Sequence, residues 1–428
     1  MTQTDHSGPE NLGPPGGPRS ADKYRPAFIF TRPGLGVTSA LLVLGAWYDR
    51  PALVMVSGML LALALAALAW SRLALARVAH FRRLSADRAF PGEEVELTIG
   101  LENRKLLPLT WLEAADEIPT ALASAEDAPV PAFRPGRQHL VSAAPLLWYR
   151  RHLRKYRLAC RRRGYYLLGP AVLTSGDPFG FLPRRRTFDH ADHLLVYPKV
   201  FDLTGLAMPS RFPIGEAKAA SRLFEDPTRV MGSRQYTRDV SFRHIHWKAS
   251  ARHQELQVKV FEPTTTLEAA VFLPAEGFEK EEDFEFGVSL AASLARQWLE
   301  TGHPAGCFSN AAPADHRSGS VALRPGSGGE QLRLILESLA KIEMAPGRPF
   351  EDLFQEALAG LNWGATVCLV TARPLESMLA RLEDLIRTGF QAVVCQVGEA
   401  GPAPGGTVPW LSVGGPEQLD RVRSWGTS

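Results

Sequence analysis

Cysteine is scarce in this sequence, and its four residues are far apart. They are Cys160, Cys307, Cys368 and Cys395 in a chain of 428 residues. No Cys-x-x-Cys pair occurs, so the sequence contains no zinc or redox motif of that kind. Cys368 and Cys395 lie in apolar, strand-like runs. We therefore predict buried free thiols in a reducing compartment.

The common catalytic motifs are also missing. The sequence has no Gly-x-x-x-x-Gly-Lys-Ser/Thr phosphate loop, no His-Glu-x-x-His and no Gly-x-Ser-x-Gly. The segment Gly326-Ser-Gly-Gly329 is similar to an anion-binding loop, although a turn followed by a helix start is the commoner explanation. These absences predict a protein that is not an enzyme and that needs no cofactor.

An excess of charge of one sign is lacking too. The formal net charge is only +3, with 45% hydrophobic and 22% charged residues. Such a small excess argues against a nucleic-acid partner, and the hydrophobic content excludes wholesale disorder. The length allows two or three domains.

Long apolar runs are present near the N-terminus. After a tail over residues 1–30, whose composition predicts disorder, come Pro33–Tyr48 and Pro51–Ser71. The second run is long enough to cross a hydrocarbon core about 30 Å thick. The first covers about 24 Å as a helix, and gains a turn if Arg32 snorkels. We predict a two-helix transmembrane hairpin over residues 31–73.

Basic residues flank both sides of this predicted hairpin. They are Lys23, Arg25 and Arg32 before it, and Arg72, Arg77, Arg82 and Arg83 after it. The positive-inside rule then predicts a multi-pass protein of the cell (inner) membrane, with both termini and the bulk of the chain cytoplasmic. A signal peptide is disfavoured because a second apolar run follows the first directly. A soluble core hairpin this apolar would be unusual.

Residues 78–200 alternate between short strand-like segments and turns. Val95, Leu97, Ile99 and Leu101 fall on one face at period two, as in a half-buried strand. Several such segments predict a β-sandwich-like module. Arginine clusters in this region suit anionic lipid headgroups or nucleic acid, but solvated strand faces beside an anionic membrane leaflet explain them more simply.

Residues 264–428 alternate between apolar strand-like runs and amphipathic helical runs. The predicted strands include Thr366–Thr371 and Gln391–Val397, and the predicted helices include Glu282–Glu300 and Glu417–Trp425. This pattern predicts a parallel sheet covered by helices on both sides. Between the two predicted domains, residues 201–263 read as a linker that carries the densest motif of the chain.

That motif mixes arginines with aromatic residues, a combination suited to carboxylate pairing and guanidinium stacking. It resembles the signature of the bacterial domain-of-unknown-function family 58. The matching residues are Arg234, Tyr236, Arg243, Ile245, Trp247, Ala251, Arg252, Phe261 and Glu262. The Gly-Asp pair of the family falls at Asp239-Val240, so its acid is absent from that place, and Asp239 stands one residue earlier.

The resemblance implies a fold and a partner. It implies that residues 264–428 form an α/β von Willebrand factor A-like domain, and that the protein partners a MoxR-type AAA+ ATPase. Such domains hold a divalent cation on Asp-x-Ser-x-Ser after the first strand. Here Val271-Phe-Leu273 is followed by Pro274-Ala-Glu-Gly277, without Asp or Ser. Because Glu276 alone supplies too few oxygen ligands, we predict a degenerate site and no metal.

The predicted function is a membrane-anchored cytoplasmic scaffold or adaptor that serves protein-complex or envelope maturation. The predicted motif residues then have a structural or partner-binding role. The alternative is an enzyme of hydrolase or lipid-processing class that uses the Arg/His/Trp motif 234–252. A metal site on His244, His246 and His253 is less favoured, since no Cys or acidic partner stands at ligand spacing. An anion or phosphate site on the basic cluster is less favoured than a structural role, in which the motif forms a buried polar network that joins the β-sandwich-like module to the final domain.

Overall fold

A computed structural model describes most of the chain. The described residues are 30–124, 130–132, 134–203, 225–236, 245–263, 268–315, 319–362, 364–374, 376–398 and 408–415. The chain divides into two compact units, Met1–Lys199 and Val200–Ser428. The predicted tail over residues 1–30 lies, except for Phe30, outside the described residues. So does the helix predicted over residues 417–425.

The N-terminal unit begins with two helices, α1 (Arg32–Trp47) and α2 (Pro51–Ala74). Thr31 caps α1 by accepting a hydrogen bond from the backbone N–H of Gly34, and proline starts α2 in the first turn, where no N–H is needed. At 24 residues, α2 is long and apolar enough to span a membrane. At 16 residues, α1 falls short of the roughly 20 that a span needs.

Three sheets follow these helices. The strands are β1 (Val78–Leu84), β2 (Arg88–Ala89), β3 (Glu94–Asn103), β4 (Leu112–Pro119), β5 (Leu122–Ser124), β6 (Val130–Pro131), β7 (Arg137–Ala143), β8 (Arg151–Cys160), β9 (Gly164–Leu168), β10 (Ala171–Ser175), β11 (Arg184–Phe188) and β12 (Asp192–Val196). Their orders are β1-β3-β8-β5, β11-β10-β4-β7-β6 and β2-β12-β9. The predicted alternation in β3 is confirmed, because Val95, Leu97, Ile99 and Leu101 are all buried.

A buried ionic cluster lies among these sheets. Nε of Arg82 in β1 donates to Oδ1 of Asp116 in β4 over 2.6 Å, and both side chains are fully buried. Arg82 also donates to the carbonyl oxygens of Leu168 and His190. Nε2 of His80 lies 3.0 Å from the same Asp116 carboxylate. A buried charge needs such partners, because an uncompensated one is strongly destabilising.

The C-terminal unit contains two small sheets and one large one. Its strands are β13 (Glu225–Gln235), β14 (Gln257–Pro263), β15 (Ala269–Leu273), β16 (Ala305–Ser309), β17 (Ala311–Pro313), β18 (Val321–Gly326), β19 (Ile342–Pro346), β20 (Thr366–Thr371), β21 (Gln391–Val397) and β22 (Trp410–Val413). The large sheet has the order β18-β16-β15-β20-β21-β22, and β13-β14 and β17-β19 are antiparallel pairs.

The helices of this unit are α3 (Trp247–His253), α4 (Glu281–Glu300), α5 (Gly329–Lys341), α6 (Phe350–Leu358) and α7 (Glu376–Thr388). Phe272 and Phe308 of the large sheet stack at 5.0 Å between ring centroids, and Phe354 of α6 packs edge-on against Phe272 at 4.9 Å. This aromatic group forms the centre of one core, with α6 and α7 contributing Leu353 and Leu382. The strands β15 and β20 are buried along their whole length.

The predicted fold class is wrong. It combined a transmembrane helical hairpin, a β-sandwich-like module and a C-terminal α/β von Willebrand factor A-like domain. The described residues are dominated by sheet, with 22 strands in six sheets beside seven α-helices, and only α2 among the described helices has the length and apolarity of a span. The strand β13 occupies part of the predicted linker. The strands β18 and β19 were missed, because neither shows a clean two-residue alternation.

Candidate partner-binding site

The motif residues of the sequence are distributed over a strand pair and a short helix. Arg234 lies in β13 opposite Val258 of β14, and Phe261 of β14 pairs with Val230. Glu262 follows in the same strand. The backbone N–H of Tyr236 donates to the carbonyl oxygen of Leu256 over 2.8 Å, which continues the pairing past the end of β13.

Ile245 connects this strand pair to the helix. It forms an isolated antiparallel bridge with Val258, and the two side chains are only 3% and 2% exposed. The next residue, His246, donates its backbone N–H to the carbonyl oxygen of Gln257 over 2.8 Å. The two residues that precede α3 are therefore held against β14 by one apolar and one polar contact.

Two polar side chains hold the start and the middle of α3. His246 caps the helix, since its Nδ1 accepts a hydrogen bond of 3.2 Å from the N–H of Ala249. The hydroxyl of Ser250 accepts from the N–H of Gln257 over 2.8 Å and donates to the carbonyl oxygen of His246. Gln254, in the left-handed region at φ 56°, ends the helix. A helix of seven residues is marginal alone, so these bonds to β14 give it a defined position.

One face of α3 remains open. Trp247 is 70% exposed, and Ala251, one turn later on the same face, is exposed as well. Lys248 and Arg252 form a second exposed pair at the same spacing. We call these four residues the α3 face. An exposed tryptophan beside two cations is the composition of a binding hot spot, where aromatic and arginine side chains contribute most of the affinity.

The structure brings only some of the predicted site residues together. Ile245, Trp247, Ala251 and Arg252 lie on or beside α3, and Tyr236 lies at the end of β13. Asp239, Arg243 and His244 fall outside the described residues, as do the side chains of Arg234, Phe261, Glu262 and His253. The exposure of Trp247, Ala251 and Arg252 fits the partner-binding role better than a buried polar network.

A second group of polar residues lies where β15 and β16 end. The amide nitrogen of Asn310 donates to both carboxylate oxygens of Glu276, over 2.7 and 2.8 Å, and to the carbonyl oxygen of Arg348. The Oδ1 of Asn310 accepts from the N–H of Ala275. Sequence reasoning missed Asn310. The available signal was a polar residue directly after the buried strand β16, at the edge where parallel sheets place their ligands.

The crevice between β15 and β20 is closed by the chain itself. The carbonyl oxygen of Gly277 accepts from the N–H groups of Ala372 and Arg373 and from the hydroxyl of Thr371 over 3.2 Å. Open sheets of this kind bind ligands at such a crevice, and here the turn after β15 fills it. The described residues contain no group of three or more His, Cys, Asp or Glu that could hold a metal ion.

None of the four cysteines offers an exposed thiol. All four cysteines are free and buried, as predicted. Burial raises the pKa of Cys160 to about 11 and the pKa of Cys307 to about 12. A thiolate is the reactive form, so neither of these side chains is activated as a nucleophile.

No family model matches this chain. It is similar to the uncharacterized protein YeaD of Bacillus subtilis strain 168, with 26% identity over 230 residues, which cover 53% of this chain and 54% of the relative. The chain thus spans about half the length of that curated relative.

The similarity to solved structures is low. The CARDB domain of a Pyrococcus furiosus protein is 9% identical, with 28% of this chain and 91% of that chain covered at a TM-score of 0.19. A cohesin module from Clostridium perfringens is 14% identical, with 28% and 96% covered at a TM-score of 0.20.

Proposed function

We propose that this protein is a membrane-anchored scaffold or adaptor, without catalytic activity of its own, and that the α3 face binds its protein partner. The observation that carries this proposal is the exposure of Trp247 on a helix that the backbone N–H of His246 and the hydroxyl of Ser250 join to β14. A large aromatic side chain exposed on a rigid element lowers the entropy lost on binding. Lys248 and Arg252 beside it favour a partner with an acidic surface around an apolar pocket.

Anchoring rests on α2. In this proposal α2 crosses the cell (inner) membrane with α1 beside it, so that the protein is multi-pass and both units are cytoplasmic. Arg72 and Arg77 at the end of α2 are exposed and support this orientation by the positive-inside rule.

The proposed partner is an AAA+ ATPase of the MoxR type, acting in protein-complex or envelope maturation. The support for this identity is the resemblance of the motif to domain-of-unknown-function family 58. Three exposed residues of that motif, Trp247, Ala251 and Arg252, belong to the α3 face. The proposal predicts that these residues contact the ATPase directly.

The test is a pull-down of the tagged full-length protein in detergent with ATP present. Wild type is compared with Trp247→Ala and Arg252→Ala, and Arg373→Ala is the matched control, because its side chain is 78% exposed and pairs with Glu279, which is not part of the α3 face. We expect stoichiometric recovery of an AAA+ ATPase by wild type and by the control, and its loss from both α3 variants. Circular dichroism checks that each variant is folded. Recovery of no ATPase in any nucleotide state, or equal recovery by all variants, overturns the proposal.

A further inference from the structure

Six large apolar side chains are exposed at one end of the N-terminal unit. They belong to the loops that follow β3, β7 and β10 and are Leu106, Leu147, Trp148, Tyr149, Phe179 and Phe181. We call them the apolar rim. Leu106 is 74% and Tyr149 66% exposed. Exposed apolar side chains grouped at one end of a unit mark an interaction site.

The strand register places all three loops at the end where α2 enters the unit. Val78, which begins β1 just after α2, pairs with Asn103 at the end of β3. Glu102 pairs with Arg151, so the loop before β8 lies at the same end. In the other sheet, Leu112 at the start of β4 pairs with Ser175 at the end of β10. The rim therefore surrounds the C-terminal end of the membrane-spanning candidate helix.

The loop after β10 extends along the helices. The hydroxyl of Ser71 in α2 donates to the carbonyl oxygen of Leu182 over 2.7 Å, and Leu182 packs against Ala64 and Ala67. Ala67 lies seven residues before the end of α2, which corresponds to about 10 Å along the helix axis. Phe181 stacks on Phe30 at 5.0 Å between ring centroids. This loop thus runs alongside the last turns of α2 toward the apolar middle of the helix.

The loop after β3 is fastened at the end of α2. The ammonium group of Lys105 donates to the carbonyl oxygen of Ala74 and, over 2.8 Å, to that of Ala76. A cation at this position satisfies carbonyl groups that a helix end leaves without partners. The amide of Asn103 donates to the carbonyl oxygens of Leu107 and Leu147, which joins this loop to the one carrying Trp148 and Tyr149.

The charge around the apolar rim is positive. The exposed basic residues at this end are Arg72, Arg77, Arg104, Arg150, Arg151, Arg184 and Arg185. Glu102 at this end is paired with Arg104 and Arg151. Each base near an anionic leaflet gains about 1 kcal/mol, and tryptophan and tyrosine favour the depth of the lipid headgroups.

We infer that the apolar rim is a lipid-binding surface, seated in the headgroup layer of an anionic bilayer with Phe179 and Phe181 directed deepest. This inference rests on the anchoring of α2 proposed above and adds a second membrane contact, made by the β-sheet unit itself. The groove of about 430 Å³ lined by Trp111, Pro145 and Phe179 opens at the same end. The contact fixes the sheets close to the bilayer instead of leaving them on a free tether.

The test uses the full-length chain in nanodiscs of anionic phospholipid. An environment-sensitive fluorophore is attached to one introduced cysteine at a time, and the four native thiols, being buried, do not compete. Labels at Leu106→Cys and Tyr149→Cys report on the rim. Phe90→Cys is the matched control, an exposed aromatic position at the opposite end of β3, about 30 Å away. Met59→Cys, exposed in the middle of α2, reports on anchoring.

We expect a lipid that carries a spin label near its headgroup to quench the two rim labels severalfold more than the label at position 90. This difference in quenching between the rim labels and the label at position 90 should fall when neutral lipid replaces anionic lipid. If the label at position 59 is quenched by a lipid spin-labelled deep in its chain while the rim labels behave like the control, the rim does not bind lipid although α2 is anchored. If the label at position 59 also remains unquenched, anchoring fails, and the inference fails with it.

Discussion

The hydroxyl of Ser71 and the carbonyl oxygen of Leu182 are joined by a hydrogen bond of 2.7 Å, although 111 residues separate them in the chain. The donor lies within the apolar helix α2 and the acceptor in the loop between β10 and β11. The other hydroxyl group of α2 behaves differently, because Ser57 donates to Leu53 in its own helix. Ser71 therefore connects the helix with the sheets.

Ser71→Ala should release the loop over residues 176–183. The substitution removes one hydrogen bond, worth about 1 kcal/mol, and leaves the apolar packing of Leu182 in place. We expect faster amide hydrogen exchange in this loop, measured by mass spectrometry on the full-length protein in nanodiscs. Ser57→Ala is the control and should leave the loop unchanged. Equal exchange in the two variants would show that the bond does not hold the loop.

Asp116→Ala should strongly destabilise the N-terminal unit. It leaves the fully buried guanidinium group of Arg82 without its 2.6 Å partner, and removal of one member of a buried pair costs about 3–5 kcal/mol. Asp192→Ala is the control, because that carboxylate is 38% exposed and 3.3 Å away, and its loss should cost about 1 kcal/mol or less. Urea unfolding of the intact chain measures both, and similar losses would contradict the prediction.

Acid should destabilise the strand pair β4-β7. Burial lowers the pKa of His139, an effect that the neighbouring Glu117 partly opposes. The unfolded chain therefore binds a proton that the folded chain rejects, and the free energy of unfolding falls as the pH drops below about 6.5. We expect a lower urea midpoint at pH 5.5 than at pH 7.5.

Substitution by a neutral residue separates the contribution of His139 from the others. His139→Gln should reduce the difference between the two urea midpoints, while His193→Gln, at an exposed position, should leave it as in wild type. An unchanged difference in His139→Gln would assign the acid sensitivity to other groups. His190, whose pKa burial also lowers, is the next to replace in that case.

Gly277→Ala should destabilise the C-terminal unit. The added methyl group would collide with Oγ1 of Thr371, where the turn after β15 closes the crevice beside β20. Overpacking of this kind costs about 1–3 kcal/mol. Gly329→Ala, with no atom within 4 Å of the new methyl group, is the control and should be neutral or stabilising. The double variant Gly277→Ala/Thr371→Ala should lose less stability than the sum of its single changes, measured by urea unfolding.

Most individual elements of the C-terminal unit could be predicted from local pattern. The predicted strands Thr366–Thr371 and Gln391–Val397 are β20 and β21, and the predicted helix Glu282–Glu300 is α4 within one residue. Each has an apolar period that its own residues define. The fold class could not be read in the same way, because it depends on how strands pair. The small strands β17 and β19 form only because each supplies the partner of the other.

The sequence by itself determined the apolar helix α2, the buried face of β3, the buried thiols and the basic residues that follow α2. These features follow from residue type and from neighbours within a few positions, which is the range over which helix and strand periods act. Tertiary structure alone decided that Asn310 meets Glu276, that Leu182 meets Ser71, and that the apolar rim surrounds the end of α2. Such contacts depend on strand register and chain topology, and a shift of one residue in register would turn the same side chains to the opposite face.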